Sequence, residues 1–127
     1  MLFLLREMGR RNAGAWNRAG RKAIVMIAIR INGEERRDGE IDETWLAQSV
    51  NRRHSDNQLV CVEVTISVDG LNMRLRTPTC PDEGGAGRRP NAEEREILDV
   101  WHRLHLDTRD FTGGNVVAFY KQVRRFA

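Results

Sequence analysis

The stretch Leu59–Pro78, LVCVEVTISVDGLNMRLRTP, alternates apolar and polar residues on both sides of Asp69-Gly70. An apolar residue at every second position marks a strand with one buried face. Asp-Gly is a favoured pair for a two-residue hairpin turn of the primed type, because that turn needs positive φ. A turn of this length sets the register: Val68 faces Leu71, Ile66 faces Met73 and Val64 faces Leu75 on one side. On the other side Ser67 meets Asn72, Thr65 meets Arg74 and Glu63 meets Arg76, the last an opposite-charge pair. Turn chemistry, apolar alternation and charge pairing agree on an antiparallel hairpin buried on one face.

The flanking sequence supplies the rest of the fold. Ile27, Ile29 and Ile31 alternate with Ala28 and Arg30, a second strand pattern that ends at the turn pair Asn32-Gly33. The following EERRDGE is almost wholly polar, so residues 34–40 read as a loop or a weak edge strand. Asp42 is a good N-cap, and Ile41 is placed to pack on Leu46, so a helix is expected over about Glu43–Arg52, anchored by Trp45 and Leu46. Past the hairpin, PTCPDEGGAGRRPN (residues 78–91) is a loop rich in Pro and Gly. Asn91 then caps a helix reaching to about Leu106, with Glu94 three residues on and Ile97, Leu98, Val100, Trp101 and Leu104 on one arc. A last helix over about residues 114–126 carries the stripe Val116, Val117, Phe119, Tyr120 and Val123. The expected fold is α+β, in the order β-α-β-β-α-α, with an antiparallel sheet of three strands, or four if residues 34–40 pair, and helices on one face.

The chain has 127 residues, 40% of them hydrophobic, enough for one domain with its own core. Its formal charge is +3, but six of its 21 basic residues and one of its 18 acidic residues precede Met26. The remaining 15 basic and 17 acidic residues leave −2 from Met26 onward, so overall basicity is no argument for a nucleic-acid partner. The chain therefore divides into a basic extension, residues 1–25, and a single α+β domain, residues 26–127. The extension is Arg-rich like a transit peptide but lacks serine, and it also suits a disordered arm that neutralises phosphate. A third reading is an upstream start outside the natural protein. Arg21-Lys22-Ala23 back-translates to the purine-rich block that bacterial ribosomes bind, a short spacer before Met26, and 19 arginines against two lysines indicate a GC-rich genome in which spurious upstream frames stay open.

No apolar run approaches the roughly 18 residues needed to span a bilayer, so no membrane association is expected. Two unpatterned cysteines, Cys61 and Cys80, do not form a secreted disulfide framework, and the expectation is a bacterial cytoplasmic protein with two free thiols. Cys61 nevertheless falls opposite Pro78 on the polar face of the hairpin, within reach of Cys80 two residues on, which makes a regulatory disulfide the alternative to two free thiols.

Residues able to carry chemistry are few. Cys80, His102 and His105 are weak metal-ligand candidates, since histidines three apart share a helix face, but no Cys-x-x-Cys or His-Glu-x-x-His spacing accompanies them. His105 within the apolar arc reads better as a core histidine. Cysteine–histidine nucleophile pairs find no support in spacing. GGAGRRP lacks the strand and the Lys-Ser/Thr of a phosphate-binding loop, and nothing calls for a cofactor. Arg74 and Arg76 share the exposed hairpin face, which Arg88 and Arg89 could extend into a nucleic-acid patch together with the basic arm. Phe119 and Tyr120 could alternatively be offered to a protein partner by the terminal helix, with the preceding glycines allowing a tight helix-to-helix turn. The leading expectation is a small non-catalytic protein acting through protein–protein interaction, as a homodimer or with another protein; the alternative is nucleic-acid binding.

Overall fold

The computed structural model describes residues 24–68, 71–81 and 92–125. Strand β1 (Ile24–Ile31) pairs with the short β2 (Glu34–Arg37), and a 3-10 turn (Asp38–Glu40) leads into helix α1 (Glu43–Ser55). Strands β3 (Val62–Val68) and β4 (Leu71–Arg76) follow, then α2 (Ala92–Arg103) and α3 (Gly113–Arg124). The four strands form one antiparallel sheet in the order β2-β1-β3-β4. The architecture is α+β with the expected order of elements, and residues 34–37 supply the fourth strand.

The β3–β4 register matches the turn argument at all of its pairs, from Val68–Leu71 to Glu63–Arg76. The Asp69-Gly70 turn itself lies outside the described residues. At the β1–β2 turn, Asn32 and Gly33 have φ of 48° and 93°, the positive values that a type I′ hairpin requires. β2 is polar on both faces because it sits at the sheet edge. On the helix side Glu34 accepts from Trp45 Nε1 (3.3 Å), while the Arg36 guanidinium lies 4.6 Å above the Trp45 ring and 3.5 Å from Asp42. Where β2 ends, the Asp38 carboxylate takes over from the ladder, accepting the Ile27 N–H at 3.2 Å.

The core lies between one sheet face and the helices. Ile27, Ile29, Ile31, Val62, Val64, Ile66, Met73 and Leu75 meet Leu46, Val50, Ile97, Val100, Trp101, Val116, Phe119 and Val123. Trp101 and Phe119 pack edge-on with centroids 5.1 Å apart, worth about 1 kcal/mol beyond their buried area. Helix α3 approaches α1 closely through Gly113: a Cβ there would sit 2.5 Å from the Ala47 carbonyl oxygen. The Gly113 N–H donates to Asn51 Oδ1 at 2.9 Å, and Thr112 caps the helix by accepting from the Asn115 N–H. Gly113 therefore serves a helix–helix contact.

Two helix ends depart from the expected ones. α1 continues to Ser55, and α2 stops at Arg103. Both close through the same motif, with the second residue past the helix end turning left-handed: Asn57 at φ 59° and His105 at φ 61°. Asn57 N–H and Gln58 N–H donate to His54 O and Arg53 O; His105 N–H and Leu106 N–H donate to His102 O and Trp101 O. These are the paired bonds of a Schellman cap, completed after α2 by the buried pair Leu106 and Trp101. His105 is consequently exposed, not the core histidine that helical periodicity implied.

Candidate interaction face

The helices cover one side of the sheet, and its other side carries a row of charge. At one level across all four strands stand Glu35, Arg30, Glu63 and Arg76, each opposite the next in the ladder. Arg30 lies 2.9 Å from Glu35 and 3.4 Å from Glu63, whose other oxygen is 2.9 Å from Arg76 Nε. Arg37 adds a contact to Glu35 at 3.4 Å. Hydrogen bonds from Arg30 and then Arg37 hold the Glu35 carboxyl below the usual carboxylate range. The Glu63–Arg76 pair is the more sheltered part of the row, with side-chain exposures of 13% and 26%. Partial shelter strengthens such a pair toward about 1 kcal/mol, the upper end of what solvated pairs contribute.

Two residues along from this row, the face presents Arg37, Ala28, Thr65 and Arg74, and beyond them Met26, Ser67 and Asn72. Among its described residues the face carries four arginines against two glutamates. The β3–β4 turn argument already placed Arg74 and Arg76 here. Arg30, Glu35 and Arg37 were legible by the same argument applied to Asn32-Gly33, had the polar run EERR been taken as a strand.

The other candidates are dispersed. Phe119 (1% exposed) and Tyr120 (9% exposed) point into the core, so α3 does not display them. Burial pushes the Tyr120 phenol above its ordinary pKa of 10; the cation of Arg124 opposes this and Asp38 adds to it. Arg88, Arg89 and residues 1–23, which hold every cation of the basic extension, lie outside the described residues, while Ile24 and Val25 belong to β1. His102 and His105 are exposed, His54 Nε2 is 3.0 Å from the Phe111 carbonyl oxygen, and Cys80 is joined to Cys61. Among the described residues no group of three or more His, Cys, Asp and Glu side chains could hold a metal ion.

The disulfide corrects the expectation of free thiols. Thr77 through Cys80 form a tight turn, with the Cys80 N–H donating to Thr77 O at 3.1 Å, which folds Cys80 back over Cys61. The cystine sits at the end of the open face, with Cys61 immediately before β3 and two residues ahead of Glu63. Among the described residues no helix is long and apolar enough to cross a membrane. No family model, curated protein or solved structure matches the chain.

Proposed function

We propose that the protein is a small interaction module that docks an acidic protein surface on the open face of its sheet. The observation that carries this reading is the Glu35-Arg30-Glu63-Arg76 row, which crosses every strand and is flanked by the additional cations Arg37 and Arg74. A mosaic of interleaved charge suits a protein surface with its own charge pattern. A phosphate backbone fits less well, because Glu35 and Glu63 interrupt the cations and none of the described residues on this face is an aromatic on which bases could stack. A second copy is also a poorer match, since the described residues of the face, four arginines against two glutamates, would meet themselves.

Comparative capture tests the reading. Wild type, an Arg37→Glu/Arg74→Glu variant and a helix-side Glu43→Gln/Lys121→Gln control are used as baits, and a partner retained by wild type is purified and titrated by calorimetry. The open-face variant should weaken binding by at least about tenfold, the control should leave it unchanged, and added salt should weaken the wild-type complex. Equal affinity for the open-face variant sinks the proposal. Tight, steeply salt-dependent binding to a synthetic RNA or DNA 20-mer would replace it with nucleic-acid recognition.

A further inference from the structure

The backbone around the cystine is held by bonds that involve neither sulfur. Thr77 donates its N–H to Val62 O at 3.0 Å, and its Oγ1 accepts the Val62 N–H at 3.1 Å. Thr79 Oγ1 donates to Val60 O, and the Thr77–Cys80 turn is closed by its own hydrogen bond. On the other side Cys61 N–H donates to Asn32 Oδ1 at 2.7 Å and Cys61 O accepts the Asn32 N–H at 3.0 Å. The two cysteine Cα atoms are 4.6 Å apart, within the span a disulfide bridges. Both residues are partly exposed and stand outside the core cluster.

We propose that Cys61 and Cys80 are a reversible redox site: the native fold persists with the pair reduced, and oxidation locks the Thr77–Cys80 turn to the lead-in of β3. With a low-molecular-weight disulfide as oxidant, the thiolate of one cysteine attacks one sulfur of the oxidant, forming a mixed disulfide and expelling a small thiolate. The second cysteine thiolate attacks the protein sulfur of that mixed disulfide, forming Cys61–Cys80 and expelling the second small thiolate. The two cysteines lose two protons and two electrons; the two leaving thiolates take them up. Threonine hydrogen bonds that pre-position the sulfurs favour the intramolecular second step over a lasting mixed disulfide. The lock bears on one end of the charged row, because Arg76, beside Thr77, also donates to Pro81 O at 3.5 Å. It does not depend on what the open face binds.

The test equilibrates the full chain in buffers of stepped reduced-to-oxidised glutathione ratio, quenches by alkylation and counts free thiols by intact mass, with far-ultraviolet circular dichroism on the same samples. The expected result is a single two-thiol transition with an unchanged dichroism spectrum, and re-formation of the disulfide when the ratio is reversed. Thr79→Val should move the midpoint toward the reduced form by about fivefold in equilibrium constant, the equivalent of one hydrogen bond. A Cys61→Ser/Cys80→Ser chain should fold, with faster amide exchange at residues 59–62 and 77–80 than the oxidised wild type. Loss of secondary structure in step with reduction, an unfolded double-serine chain, or thiols that stay unpaired in excess oxidised glutathione would each overturn the proposal.

Discussion

Gly113 has no side chain because α1 leaves no room for one. A Cβ would stand 2.5 Å from Ala47 O and 2.8 Å from Ala47 Cα, both backbone atoms of a helix that cannot yield locally. Gly113→Ala should therefore push α3 off α1 and cost about 2 kcal/mol, the usual scale for overpacking, read as a lower urea midpoint at constant slope. His105 is the opposite case, a residue with a side chain where none is favoured. Its φ of 61° in the Schellman cap is a position glycine occupies at less strain, and the side chain is exposed. His105→Gly should leave the fold unchanged and raise stability by up to about 1 kcal/mol in the same measurement. Neither site was legible as such in the sequence. A close approach between helices far apart in the chain leaves no local signature beyond the glycine itself. A helix that ends at a histidine gives no stop signal, so the apolar periodicity ran on to Leu106.

At the scale of elements, legibility followed the strength of local chemistry. The β3–β4 hairpin could be registered residue by residue because a two-residue turn permits only one pairing, and the Asp42 cap was visible because its side chain serves the Trp45 N–H directly. β2 was ambiguous because an edge strand need not alternate: Glu34 and Arg36 are satisfied by α1, Glu35 and Arg37 by the open face. The charged row is therefore a product of strand order: each half lies within one hairpin, and the Arg30–Glu63 link between the halves needs β1 beside β3. Arg30 dominates the lowering at Glu35, so Arg30→Gln should bring the Glu35 pKa back up toward its ordinary 4.5, observable by carboxyl NMR titration. The sign follows from linkage. A carboxyl depressed in the fold contributes stability that is present above its unfolded pKa and is lost as pH falls through the folded value, and Arg30→Gln should flatten that acid limb.

Across the whole molecule, α3 is tied back to the β2 end by Arg124 Nη1 donating to Asp38 Oδ1 at 3.1 Å, with Tyr120 packed beneath it. Tyr120 is the chain's single tyrosine, so alkaline absorbance at 295 nm reports this junction alone. Its titration midpoint should lie above 10 in the fold and return to about 10 in denaturant. Because the fold favours the neutral phenol, the stability it contributes is present below pH 10 and declines as pH rises through the folded value. The junction lies at the end of the sheet where β1 begins, at Ile24. Among the described residues, a chain starting at Met26 loses the Ile24–Val68 pairing at this end of β1, and that pair contributes about 1 kcal/mol or less. The disulfide was the main whole-molecule feature the sequence understated, because two cysteines 19 residues apart meet only once the turn after β4 is formed.

The outermost strands, β2 and β4, carry arginine on the open face, at Arg37 in one and at Arg74 and Arg76 in the other. A second copy that laid its own β4 against this one would set Arg74 and Arg76 among their counterparts, a deterrent to edge-to-edge growth at that rim. Replacing Arg74 with valine would take one of these cations off the rim. The harm would surface in a crowd, as a protein that no longer keeps its neighbours at a distance.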